Sequence, residues 1–357
     1  MSAIKNKQYF TKQLLAWNLL YNHRFMPWKG EKDPYKIWLS EIILQQTRVE
    51  QGWAYYERFI KNFPTIKQLA AAPDDKVLKL WEGLGYYSRC RNLLTTARLI
   101  VEEYKGKFPD NYETIVQLKG VGPYTAAAIA SFAYQLPYAV VDGNVIRVLA
   151  RYFGEDRPVD DSIVKKQLSL LAQELVDKQK PGIYNQAIMD FGATICKPKN
   201  PLCSTCILQK NCEADKQEKA LLWPIKSKSI QKKNRFLTYF ILHWEEKICV
   251  VQRVEKDIWQ HLYEFYVHET ISKPIWNNNS IEKFIVSTFN IKKFAMHSSN
   301  VWHKQTLTHQ YIHAMFVEVH CTTKPTIPVP HKWVTQKELN KIAFPKIITT
   351  FLKATFV

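Results

Sequence analysis

Four cysteines within one short run constrain this chain more than any other feature. CKPKNPLCSTCILQKNC places Cys196, Cys203, Cys206 and Cys212 at the spacing C-x6-C-x2-C-x5-C. Thiolates this close in sequence suit a metal centre, either zinc or an iron–sulfur cluster, and they oblige the chain to close a compact lobe around it. Zinc knuckles usually carry paired C-x2-C units, and only one such pair is present. The loop is also basic, with Lys197, Lys199 and Lys210 in it. Cys90, Cys249 and Cys321 are scattered and read as small buried side chains. The N-terminus MSAIKNKQYF lacks the pattern of a secretory signal, and no run of about 20 apolar residues could cross a bilayer. The expected location is therefore cytoplasmic, nucleoid-associated in a bacterium, where thiols stay reduced and disulfides are not expected.

The formal net charge is +18, which favours a polyanionic partner, nucleic acid first. The basic residues are spread along the chain and not gathered on one amphipathic helix, so no membrane partner is expected. At 357 residues the chain exceeds one ordinary core. Helical periodicity runs from about Phe10 to Leu221, through KIWLSEIILQQTRVEQGWAYYERFI and DDKVLKLWEGLGYYSRCRNLLTTARLIVEEY, the latter with Asp74 and Asp75 placed to cap its start. Helices also fit YETIVQLKG, PYTAAAIASFAY, NVIRVLARYF, DSIVKKQLSLLAQELV and IYNQAIMDFGATIC. PIKSKSIQKKNR, with five basic residues and no acid, reads as a linker. Beyond it FLTYFILHW, KICVVQRV, LYEFYVHE and HAMFVEVHCT are β-formers, giving an α/β domain with a mixed or antiparallel sheet.

Within the helical part, LKGVGPY sets Gly120, Val121 and Gly122 before Pro123 and Tyr124. The glycines permit a tight turn, and exposed amides at the following helix start would form a phosphate site; a plain helix–helix turn is the bland alternative. In VVDGN, Asp142 stands alone before the next helix, where an N-cap is the simplest role. In WLSEIILQQT, Glu41 lies among Leu39, Ile42, Ile43 and Leu44. Periodicity alone favours the solvent face for it; the alternative is a buried carboxyl with a raised pKa.

The cysteine spacing after a Gly-x-Gly hairpin resembles the iron–sulfur loop of the endonuclease III superfamily of DNA glycosylases, over residues 10–220. The resemblance implies a two-lobed all-α helix-hairpin-helix domain over residues 1–221, with a six-helix lobe at about 28–134 and a cluster lobe from 1–27 and 135–221. It implies a 4Fe–4S cluster on the four cysteines and a catalytic Asp142. Relatives that also cut the strand carry Lys at the position of Tyr124, so base removal without strand cleavage is expected.

WLSEIILQQT is similar to the signature of MutY-type adenine DNA glycosylases. That resemblance implies Glu41 as the general acid, with Tyr124 and Asn144 orienting the two carboxylates. It further implies that Gln46 wedges into the duplex and that Tyr86, from GLGYY, inserts beside a damaged guanine. Trp28, Leu44 and Gln186 match pocket positions, NHRFMPW brings Arg24 near them, and Gln45 and Thr47 flank the wedge; Lys29 receives no role. The implied substrate is double-stranded DNA bearing adenine opposite 8-oxoguanine, or opposite guanine; a monomer is the default expectation.

After a linker at 222–235, residues 236–357 resemble the Nudix-like lesion-reading domain of MutY proteins. The acidic helix of a working Nudix hydrolase is missing, so pyrophosphate hydrolysis is not expected. KQTLTHQYIH aligns with the family's 8-oxoguanine loop and places Leu307, Thr308 and His309 there, with Leu307 in place of an aromatic ring. His309 and His313 fall on one face of an expected strand, without a Cys or acid pattern to make a metal site. Two alternatives stand beside the adenine glycosylase reading. One is an endonuclease III-like glycosylase-lyase for oxidised pyrimidines, against which Tyr124 and Glu41 argue. The other is a non-catalytic iron–sulfur protein that binds DNA or senses redox state.

Overall fold

The computed structural model describes residues 3–227, 231–298 and 301–355. The chain divides into two compact units, Met1–Ala71 with Asn92–Lys228, and Ala72–Arg91 with Ser229–Val357.

The first unit is all helix. It contains α1 (Ala3–Tyr21), α2 (Pro34–Leu44), α3 (Val49–Asn62), α4 (Ile66–Ala70), the body of α6 (Tyr87–Glu103), α7 (Tyr112–Ile115), α8 (Pro123–Tyr134), α9 (Gly143–Phe153), α10 (Ser162–Leu175), α11 (Pro181–Thr194) and α12 (Glu213–Lys216). Asp33 caps α2 by accepting from the Tyr35 amide at 2.9 Å, with Pro34 in the first turn. Every residue from Ile37 to Ile43 is then buried. The helix is enclosed on all sides, so its apolar pattern has no solvent stripe, and the periodicity that favoured an exposed Glu41 was misleading. Against α2 packs α8, whose Ala126, Ala127, Ala128 and Ala130 are too small to hold the backbones apart.

One long helical pattern in the sequence is two helices in the structure. Between α2 and α3 the chain turns at Gln46, which has φ +55°. A second pattern breaks between α5 (Asp74–Trp81) and α6, at Tyr86 with φ +48°. Neither residue is glycine, so each holds a backbone conformation that L side chains disfavour. Asp74 and Asp75 lie inside the first turn of α5; Pro73 occupies the N-cap and supplies no side-chain cap. YETIVQLKG yields only the short α7.

The second unit holds α5, the start of α6 and an eight-stranded sheet. Ala72–Arg91 joins it because Phe344 N donates to Glu82 Oε1 at 2.8 Å, Lys79 Nζ to the Ile342 carbonyl at 2.9 Å and Arg91 to the Gln260 carbonyl at 2.8 Å. The sheet is mixed. Its centre is β1 (Lys233–Trp244), which begins inside the stretch read as linker and runs parallel to β7 (Gln310–Cys321) from Lys233↔Gln310 to Trp244↔Cys321. The strands β2 (Lys247–Gln252) and β4 (Tyr266–Thr270) pair antiparallel with β1. Antiparallel pairs also join β3 (Tyr263–Glu264) and β8 (Lys332–Thr335) to β2, and β5 (Phe294–Ser298) and β6 (His303–Thr306) to β7. Period-2 alternation sends Phe240, Leu242, Met315, Val317 and Val319 to one face, under Ile281, Ile285 and Phe289 of α13 (Asn278–Phe289). On the other face Phe316 stacks on Phe351 of α15 (Lys346–Thr355) at 3.9 Å. Between the β8 strand and α15 lies the single turn α14 (Gln336–Leu339).

Candidate active site

A pocket of about 340 Å³ opens in the helical unit, lined among others by Arg24, Trp28, Lys29, Glu41, Leu44, Tyr124, Asp142, Asn144, Gln186 and Asp190. That volume lies in the range of about 300–1,000 Å³ usual for small-molecule sites. Glu41 comes from α2, Tyr124 from the first turn of α8 and Asp142 from the N-cap of α9.

The two carboxylates have opposite surroundings. Glu41 is 6% exposed, and its Oε2 has no hydrogen-bond partner. Burial raises its pKa from 4.5 to about 7; the Tyr124 hydroxyl pulls it down and the Asp142 charge pushes it up. Asp142 is half-buried and fully engaged. Its Oδ1 accepts from the Val145 amide at 2.7 Å and its Oδ2 from Asn144 Nδ2 at 2.6 Å. It is thus both the N-cap and a wall of the pocket. Burial drives the Tyr124 phenol well above its usual pKa, with the charges of Glu41 and Asp142 adding, and its hydroxyl lies 3.8 Å from Met189 Sδ.

Supports run outward from these groups. Arg147 NH2 donates to Asn144 Oδ1 at 2.9 Å and to the Gly192 carbonyl at 2.6 Å, and its Nε donates to the Cys196 carbonyl at 2.8 Å. Asp142 is therefore linked to the cysteine loop through Asn144 and Arg147. A Cβ on Gly192 would stand 2.7 Å from the Asn144 Cβ, so this contact of α9 with α11 requires glycine. Asn185, wholly buried, accepts from the Val140 amide at 3.1 Å and donates to the Tyr138 carbonyl at 2.8 Å, fixing the segment that leads to Asp142.

On the opposite wall Asp190 has no exposed surface. It accepts from Asn22 at 2.9 Å, Arg24 at 2.9 Å and Lys29 at 3.0 Å. The sequence reading missed both Asp190 and Lys29. The available signal was a single acid on the packed face of IYNQAIMDFGATIC, the same kind of signal that marked Asp142.

Gln46 is exposed and, with Gln45, borders a second cavity beside Glu41, Tyr124 and Asp142. Gln45 Nε2 donates to Thr125 Oγ1 at 3.3 Å, and the Thr47 amide to the Leu44 carbonyl at 3.1 Å, which stiffens the turn. In the hairpin, Val121 is buried while Gly120 and Gly122 are exposed. Gly120 has φ +81°, and Gly122 is the N-cap of α8 with no side-chain bond and open space around it. The first amides of α8 are thus free to meet an anion. In the other unit, Leu307, Thr308 and His309 form the turn between β6 and β7, closed by the Leu307 amide on the Gln310 carbonyl at 2.8 Å. Thr308 and His309 are exposed, and the Thr308 hydroxyl contacts that of Tyr86. His313 does not point to a metal; its Nε2 is 3.0 Å from Asn234 Oδ1.

The four cysteines are all free thiols and half-buried, and Cys196, Cys206 and Cys212 pack against the edge of the α1–α9–α11 core. Burial and mutual repulsion push Cys206 up to about 12 and Cys212 to about 11, so as thiolates they call for a cationic centre among them. The one set of three or more His, Cys, Asp or Glu ligand atoms within 4.8 Å of one another, among the described residues, lies elsewhere. Four thiol donors in one loop suit a metal centre, zinc or an iron–sulfur cluster.

Residues 39–174 match the model of the HhH-GPD superfamily of base excision DNA repair proteins, and residues 238–354 that of the NUDIX domain. The chain is 32% identical over 350 residues to the adenine DNA glycosylase of Buchnera aphidicola subsp. Schizaphis graminum, spanning 96% of this chain and 98% of that protein. The chain belongs to the adenine DNA glycosylase family. The rat member is 44% identical over 224 residues, 60% of this chain and 43% of that protein. Among solved structures, a thermostable thymine-DNA glycosylase aligns with TM-score 0.56 at 31% identity, over 61% of this chain and all of that one. An endonuclease III–DNA complex at 21% identity and TM-score 0.52, over 61% of this chain and 99% of that one, shares the helical fold. Among the described residues no helix is long and apolar enough to cross a membrane.

Proposed function

We propose that this adenine DNA glycosylase family member hydrolyses the N-glycosidic bond of adenine opposite 8-oxoguanine, or opposite guanine, in duplex DNA during base excision repair and leaves the strand intact. One observation carries the reading: two carboxylates share a pocket, one buried with its pKa raised to about 7, the other held by hydrogen-bond donors. Glycoside cleavage needs this pair. The Glu41 carboxyl gives its proton to adenine N7. The C1′–N9 bond breaks, its electron pair leaves with the base, and Asp142 faces the positive sugar that forms. Glu41, now a carboxylate, takes a proton from water as the oxygen bonds to C1′ on the vacated face, giving an abasic site with retention. Tyr124 and Asn144 orient the two acids.

The base must leave the stack before this chemistry, at a cost of about a few kcal/mol. The exposed, strained Gln46 is placed to wedge into the gap beside the pocket. The exposed hairpin turn of Gly120, Val121 and Gly122, closed by the Val121 amide on the Leu118 carbonyl at 3.0 Å, suits the phosphate backbone at the start of α8. Trp28, Leu44 and Gln186 form the pocket wall, with Arg24 pinned to Asp190. Tyr86 and Thr308, whose hydroxyls touch, together with Leu307 and His309, are the residues we assign to the 8-oxoguanine. A 4Fe–4S cluster bound by Cys196, Cys203, Cys206 and Cys212 would fix the loop that carries Lys197, Lys199 and Lys210 and anchor Arg147.

The test is free adenine released from duplexes with adenine opposite 8-oxoguanine, guanine or thymine. Fast release from the first, slower from the second and none from the third is expected. Equal release from all three, or release of an oxidised pyrimidine instead, contradicts the proposal.

A further inference from the structure

The parallel register of β1 with β7 sets His243 directly beside His320, 4.4 Å between ring centroids and 15° from coplanar. Glu318 precedes His320 by two residues and so shares its face of the sheet; its Oε2 is 4.0 Å from His320 Nε2. The three side chains offer ligand atoms that all lie within 4.8 Å of one another. His243 Nε2 is buried and has no hydrogen-bond partner. A buried ring nitrogen without a partner is costly, and this ring stacks on a neighbouring imidazole with a carboxylate close by. The set does not suit an anion, which Glu318 would repel. Nor does it suit magnesium or calcium, which take oxygen donors. Two imidazoles with one carboxylate match zinc and its first-row neighbours.

We propose that His243, Glu318 and His320 form a zinc-class divalent metal site at the C-terminal ends of β1 and β7, independent of the glycosylase pocket and of the cysteine loop. Tetrahedral zinc with bonds of about 2.0–2.1 Å needs donors about 3.3 Å apart. His320, with its side chain 57% exposed, can turn to close that gap, whereas His243 is held in the sheet. The fourth position falls to water or to His297 of β5, which is exposed and pairs in register with Glu318. The bound ion would tie together two strands distant in sequence and fix the outer end of the sheet.

The experiment is a competition titration of full-length, cluster-loaded protein with buffered zinc, joined to zinc-edge X-ray absorption of the loaded sample. One zinc per chain with nitrogen and oxygen neighbours is expected. His320→Ala, at an exposed side chain, and Glu318→Gln, which keeps the side chain's shape, should each weaken it at least ten-fold, about 1.4 kcal/mol. His243→Ala tests the buried donor, read only if circular dichroism and base-release activity match the native protein. Unchanged affinity in His320→Ala overturns the proposal. So does sulfur in the first shell, which would place the ion on the cysteines, and so does binding only at millimolar zinc.

Discussion

Replacing Glu41 by Gln should make the protein more stable while it destroys activity, and by an amount that depends on pH. Glu41 is 6% exposed with one oxygen unpartnered, and its pKa is raised from 4.5 to about 7, chiefly by burial. That gap of about 2.5 pH units is worth about 3 kcal/mol. The sign follows from the raised value. The folded state binds the proton more tightly than the unfolded chain does. The contribution of Glu41 is full below pH 4.5 and is lost as pH rises through about 7. Gln is close in shape and never ionises, so native and variant should have similar stability in acid, and the variant should pull ahead towards pH 8. At about 2–4 °C per kcal/mol for a unit of this size, the melting midpoints should separate by roughly 6–12 °C. Calorimetry of cluster-loaded native protein and Glu41→Gln, from about pH 5 to about pH 8, reads this difference. Parallel midpoint curves would refute the reasoning, because they would mean that Glu41 is ionised throughout at no cost.

Three further outcomes follow from the same geometry. The Tyr124 hydroxyl lowers the Glu41 pKa, so Tyr124→Phe should move the alkaline fall of the single-turnover rate to higher pH; an unmoved or acid-shifted limb would remove Tyr124 from contact with the acid. Gly192→Ala forces a methyl to within 2.7 Å of the Asn144 Cβ; a loss of about 1–3 kcal/mol and a rate defect are expected, measured by urea unfolding and base release, and an inert variant would show that Asn144 does not need its place. Asp190→Asn leaves Arg24 and Lys29 without their shared counter-charge and should cost about 3 kcal/mol with a raised substrate KM, whereas a native-like KM would separate this network from the pocket.

Elements with strong local signals were legible in the sequence. Pro123 and Gly122 mark the start of α8, Asp161 caps α10, and the cysteine spacing stands out by itself. What escaped was decided by tertiary context. Gln46 takes positive φ without being glycine, so no residue type announced the break between α2 and α3, whereas the break before α6 also holds Gly83 at φ +89° and Gly85 at φ +79° beside Tyr86 and was open to reading. Glu41 looked exposed because an enclosed helix has no polar stripe to contrast with its apolar one. Strand β6, HKQT, has no apolar alternation, and it exists because β7 offers it a partner. Asp142 was legible as an N-cap, and it caps α9 in the structure. Asp190, Arg24 and Lys29 meet only when α11 folds against the segment after α1, and His243 meets His320 only through a parallel strand pair; neither meeting has a spacing to read.

The most direct test of the two-carboxylate account is single-turnover cleavage of a duplex with adenine opposite 8-oxoguanine, with samples split and analysed with and without alkali. Native protein should give strand breaks only after alkali, and Glu41→Gln and Asp142→Asn should give none while still binding the duplex. Breaks without alkali would contradict the assignment of base removal alone, and full activity in either variant would contradict the assignment of these carboxylates.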